Sequence, residues 1–176
     1  MTRYHPLLVA MHWLVAIMII IAVFIGGPSL TAIDNSDPGK IMPLGGHIVW
    51  GLVIGTLMLI RLVTRLRSQK PPAADAGNEM LNKGAKLSHI ALYVLVFAMV
   101  GSGIGIALSA NLFDIVFGSS GATLPVDFSG ISARTAHGVI ASLITLFVAL
   151  HVLGWGYHQF IRKDGLFSRM WFGKRS

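Results

Sequence analysis

Seven histidines in a chain with no cysteine define the chemistry open to it. Two of them, His137 and His151, lie fourteen residues apart in a stretch, residues 135–161, that contains no Asp, Glu, Lys or Arg. On a helix, fourteen steps return to nearly the same face about 21 Å further along. Ionisable side chains in so apolar a segment are costly to hold in a bilayer and mark functional positions. Two imidazoles at two depths on one stripe suggest two stacked metal or cofactor sites. Without cysteine, thiolate metal sites, iron–sulfur clusters and covalent haem attachment are excluded, so the ligands must be histidine or oxygen.

The elements that position these histidines follow from composition. More than half of the 176 residues are hydrophobic and 12% are charged, with mean hydropathy +0.71. That leaves too little polar surface for a soluble domain. Residues 7–26, 45–63, 87–110 and 135–161 are each long and apolar enough to cross a hydrocarbon core as a helix. The expected architecture is all-α: a single membrane domain over residues 1–176, built as a four-helix bundle. The first segment is too long for a signal peptide and carries His12, so it reads as a retained span. Residues 27–43 and 68–79 read as loops, and residues 111–133 as a loop with a short interfacial helix.

The net charge of +7 does not indicate nucleic acid, because the basic residues are segregated. Arg3 precedes the first span. Arg61, Arg65, Arg67, Lys70, Lys83 and Lys86 surround the connection between the second and third. Arg162, Lys163, Arg169, Lys174 and Arg175 follow the fourth. The other two loops carry Lys40 and Arg134 against Asp34, Asp37, Asp114 and Asp127, a net charge of about −2. The positive-inside rule therefore places both termini in the cytoplasm of a multi-pass protein, with anionic membrane lipid as partner of the basic face.

This orientation assigns a depth to each histidine. His12 enters from the cytoplasmic side and His151 approaches that side at the end of the fourth span, so they share a level. His47 and His137 share the outer one. One imidazole on an apolar helix ordinarily hydrogen-bonds a neighbouring helix, but four that pair by depth point to axial ligation of two haems. A structural zinc site would need four ligands together. Gly51, Gly55 and Ala141 follow the outer histidines at helical spacing and suit either the approach of a flat ring or close helix packing, the use that Gly101 and Gly105 also suit. His5 is interfacial. His89 opens the third span on the cytoplasmic side, as a partner for a haem propionate or quinone and a competitor for ligation there. Arg61 at that depth suits a propionate, as it also suits snorkelling to the interface. His158, with Lys163 and Asp164, suits proton handling for a redox substrate at the membrane surface, or a simply hydrated helix end.

At these positions the chain resembles the bacterial cytochrome b561 family of membrane dihaem proteins. The resemblance rests on His12-Trp13, on His47-x3-Gly51 with Arg61 and Arg65, on Ser88-His89-x3-Tyr93, on His137-x13-His151, and on the tail from His158 to Met170. It implies two non-covalent b-type haems, one on His12 and His151, the other on His47 and His137, and electron transfer to the quinone pool in the bacterial inner membrane. The chain is most like the superoxide oxidase members, which take electrons from superoxide and reduce ubiquinone. Under that reading Arg134, a turn before His137, and Lys40 form a local positive entrance for the anion, and His158, Lys163 and Asp164 serve quinone protonation. Two alternatives remain: a cytochrome subunit fed by a dehydrogenase or hydrogenase partner protein, and a structural or metal-transport membrane protein without haem.

Overall fold

The computed structural model describes residues 3–118 and 121–173; Lys174 and Arg175, counted above among the basic tail residues, lie outside them. Among the described residues all regular structure is helical. Four helices are long and apolar enough to cross a membrane: α1 (Pro6–Thr31), α2 (Pro38–Arg67), α3 (Glu79–Ser109) and α5 (Ser132–Arg162). Two short helices, α4 (Leu112–Phe117) and α6 (Leu166–Arg169), lie outside the spans.

The helices overrun the apolar stretches that nucleate them, because polar turns outside the hydrocarbon are stabilised by caps. α1 starts at Pro6, whose missing N–H costs nothing at the first position, with the His5 imidazole accepting from Leu7 N at 3.2 Å. α2 starts nine residues before His47, where the Asp37 carboxylate accepts from Gly39 N at 2.7 Å. α3 begins well before its apolar run, where Asn78 accepts from Met80 N and Glu79 pairs with Lys83 one turn on. The loop expected over residues 27–43 is correspondingly shorter. α1 continues through Pro28 because a π-helical turn, Ala22–Gly26, precedes it. Such a turn shifts the hydrogen-bond register and accommodates a residue that cannot donate.

The packed interior is formed by Val15 and Met18 of α1, Ile54 and Met58 of α2, Val96 of α3 and Ile144 of α5. A second cluster, around Ile106, Ala107, Ala110, Leu112 and Leu124, seats α4 against the ends of α2 and α3. Gly45 permits this seating, since a Cβ there would stand 2.8 Å from Val116 Cγ1. Large apolar side chains such as Phe24, Leu59, Leu66 and Leu153 point outward, as a surface solvated by lipid requires.

Close backbone packing joins α1 to α2, α2 to α3 and, most extensively, α3 to α5. α5 approaches neither α1 nor α2 as closely, so those helices face one another across longer side chains. The residues before α1 and those around α6 lie at the same end of the bundle: Tyr4 N donates to Arg169 O at 3.1 Å. Trp13 Nε1 donates to Met170 O at 2.8 Å, and its ring makes edge contacts with Phe167 and Trp171. The tail thus clasps α1 one residue from His12.

Candidate redox site

The wider separation of α5 from α1 and α2 is where four histidines meet in two pairs. His12 of α1 and His151 of α5 have ring centroids 6.1 Å apart with planes at 64°. His47 of α2 and His137 of α5 stand 6.2 Å apart at 69°. A metal bonded at about 2 Å by one nitrogen of each ring, with an imidazole radius of about 1 Å, would hold two ring centres about 6 Å apart. Both pairs meet that spacing. Among the described residues no group of three or more His, Asp or Glu side chains converges as a metal site, so these histidines act in twos.

His89 stands nearer to His151, at 5.1 Å and nearly perpendicular, too close for an atom bonded between the two rings. Its Nδ1 lies 2.7 Å from Ala85 O one turn back and, facing a carbonyl, must donate. Arg61 reaches from α2 to the same level. It hydrogen-bonds the Tyr93 hydroxyl, and its Nη2 lies 3.4 Å from His12 Nδ1. Arg61 and Arg65 also lie over the Tyr93 ring, at 5.3 and 5.4 Å. Arg61 Nε and the Ser88 hydroxyl are buried here without a protein partner. Buried donors left unpaired are expensive, and a carboxylate is the acceptor a guanidinium prefers.

The opposite end has a different support. His137 Nδ1 meets Ser102 Oγ of α3 at 2.9 Å. No pattern in the sequence singles out this serine, because a helical serine usually bonds only its own helix. The glycines of α2 separate into two uses. A Cβ at Gly55 would press on Val100 of α3 at 3.1 Å, so Gly55 serves helix packing, as Gly105 does against Ala133. At Gly51, one turn from His47, a Cβ would meet nothing within 4 Å, which leaves the backbone bare on the ligand face.

A model of the prokaryotic cytochrome b561 family matches residues 3–173. The chain belongs to the cytochrome b561 family. Among curated relatives, "Probable superoxide oxidase CybB" of Yersinia pestis is 26% identical over 98% of both chains. "Cytochrome b561 homolog 2" of Escherichia coli (strain K12) is 28% identical over 99% of this chain and 93% of its own length. Membership makes this an oxidoreductase-type, membrane electron-transfer cytochrome and implies haem b. The residues present fit that group: imidazoles paired at the spacing of axial ligands, helices held apart at the pairs, a bare glycine beside His47, and unpaired donors at Arg61 and Ser88 suited to a propionate.

His158 is buried in a second π-helical turn, Tyr157–Arg162. Its Nδ1 lies 2.5 Å from Asp164 Oδ2. The chain turns back at Lys163 and Gly165, both with positive φ, which is how Asp164 returns to His158. Burial would raise the Asp164 carboxyl, but hydrogen bonds from His158 and from Leu166 N hold it below its usual range. Lys163 is exposed and does not join that pair. Arg134 is half-buried and lies back along α5, with Nη1 3.5 Å from where a Gly138 Cβ would stand. Lys40, the other cation of the expected anion entrance, is buried. Its Nζ donates to Ile33 O and Asn35 Oδ1, both at 2.6 Å, so it is withdrawn from the surface by the turn it closes.

Proposed function

We propose that this chain is a single-domain dihaem cytochrome of the bacterial inner membrane, with both termini cytoplasmic. It carries single electrons from the outer face to the quinone pool, with superoxide as donor and ubiquinone as acceptor. The observation that carries this reading is that α5 presents His137 and His151 to two partners, His47 and His12, at nearly identical spacing. Each pair would hold one haem b, which would supply single-electron transfer at that level of the bundle. The basic residues at the end shared by the termini support the orientation.

Each remaining residue has a role that its contacts support. Arg61 and Ser88 offer donors to a propionate at the His12 level. When Nε2 of His12 binds metal, Nδ1 carries the proton and cannot accept from Arg61, which frees the guanidinium for a carboxylate. His89 flanks the His151 ring and hydrogen-bonds its own helix, so it supports the inner site without replacing His12. The Asp164 carboxylate orients His158 by accepting from Nδ1, which leaves Nε2 to exchange a proton with a quinone oxygen at the cytoplasmic surface. Lys163 adds positive charge nearby. Arg134 supplies the accessible cation at the outer face.

The superoxide reading draws on the name of the Yersinia pestis relative. The acidic outer loops and the internal commitment of Lys40 favour a second reading, in which a partner protein delivers the electrons. Pyridine-haem quantification tests the core of the proposal: two haems per chain are expected, with one lost in His137→Ala and a different one in His151→Ala. Reduction of the purified holoprotein by a superoxide generator, abolished by superoxide dismutase, is expected of the superoxide reading. Reduction that the dismutase leaves untouched would favour the partner-protein reading.

A further inference from the structure

α3 supplies neither imidazole of either pair, yet it touches the outer site at the Met99 carbonyl, which faces His137, and at the consecutive residues Ser102 and Gly103. Ser102 Oγ lies 2.9 Å from His137 Nδ1 and also 2.9 Å from Met99 O, one turn back on its own helix. A carbonyl oxygen can only accept, so the hydroxyl proton goes to Met99. Both contacts are then hydrogen bonds only if His137 Nδ1 carries the ring proton and donates to Ser102. Next to the serine, a Cβ on Gly103 would stand 3.4 Å from His137 Cε1, so bare backbone lies against the ring edge there. The ring is held by a directional bond on one atom and by close packing beside it.

We propose that Ser102 is a positioning residue that fixes the tautomer and orientation of His137, presenting the Nε2 lone pair toward His47, and that it makes the two redox sites electronically unequal. An imidazole donating Nδ1–H to an oxygen is a more basic ligand, which favours the oxidised metal. At the other site, His12 Nδ1 faces a guanidinium, which only donates and whose positive charge favours the reduced metal. The two supports push in opposite directions, so electrons run downhill from the Ser102 side of the bundle to the Arg61 side. This inference rests on the reading that His47 and His137 hold a haem. The haem count in His137→Ala tests that reading separately.

The test is a potentiometric titration, with EPR of the low-spin ferric signals, on the purified holoprotein and on Ser102→Ala, Ser102→Cys and Ser102→Thr. In Ser102→Ala the midpoint potential of one haem, the one absent from His137→Ala, rises while the other stays. Its EPR signal shifts, and haem retention at that site falls about tenfold or more, the usual cost of removing such a partner. Ser102→Thr, which keeps the hydroxyl, restores the potential and the signal. Ser102→Cys keeps the volume but offers a weak acceptor and follows Ala, which covers the case where Ala does not accumulate. Unchanged potentials in Ala and Cys, or an equal movement of both haems, would overturn the proposal.

Discussion

Arg61 and His12, forty-nine residues apart on different helices, meet with Nη2 3.4 Å from Nδ1. A guanidinium buried beside an imidazole is costly without an anion, and the hydrogen bond to the Tyr93 hydroxyl does not supply one. The contact therefore identifies where negative charge is missing from the protein itself. Arg61→Gln removes the cation and keeps part of the hydrogen bonding. The haem potential at the His12 level is expected to fall by several tens of millivolts, from a Coulomb effect of about 1–2 kcal/mol at an effective dielectric constant of about 20. The other haem should hold its value in the same titration.

Gly51 and Gly55 of α2 predict a dissociation of stability from cofactor content. Gly55→Leu forces side chain into Val100 and should destabilise the fold by about 1–3 kcal/mol, read as a lower thermal midpoint in detergent. Gly51→Leu meets no such neighbour. It should leave the midpoint of haem-free protein nearly unchanged but lower the occupancy of the His47–His137 site to about half or less. Equal haem loss in both variants would mean that the two positions are not distinct in use.

The pair His158–Asp164 predicts a pH effect with a definite sign. The Asp164 carboxyl is held below its usual value in the folded protein. Its contribution is therefore complete above the ordinary carboxylate range and is lost as pH falls through the lower folded value. Because Asp164 is exposed, the effect is modest. Asp164→Asn should flatten the acid side of the stability profile and slow quinone reduction about tenfold or more, while reduction of the outer haem proceeds at the parent rate. Stopped-flow measurement with a ubiquinone analogue separates the two steps.

In the proposed orientation Arg134 stands at the outer face, in a field of acidic loops. Arg134→Glu should slow superoxide-driven haem reduction about tenfold at low ionic strength, with a smaller difference in high salt, because salt screens the long-range attraction between the anion and a cation near the surface. A rate that the substitution leaves alone would remove Arg134 from the path of the donor.

What the sequence makes legible here is what repeats or segregates. Four apolar runs locate the spans, and histidine spacing together with basic residues pairs His12 with His151 and His47 with His137. Helix ends were harder, because Asp37 and Asn78 cap turns that lie outside the apolar pattern. Ser102 was not legible at all: its significance depends on α3 lying against α5, a tertiary fact. The same holds for Lys40, which looks like a surface cation until Ile33 O and Asn35 Oδ1 are brought around its ammonium group. The clasp of Trp13 by Met170 joins residues 157 positions apart, and no local pattern announces it.

One consequence of the shared helix concerns the order of synthesis. Because α5 donates one imidazole to each pair, neither pair exists while only the first three spans have emerged from the ribosome. With a haem on each pair, as proposed, loading could not proceed one site at a time along the growing chain. It must wait for the last span, and the closure of Trp13 against the tail comes later still. A chain interrupted before residue 132 would carry two of the four paired histidines and neither complete pair, so that premature arrest would leave a membrane protein without redox activity and not a partly competent one.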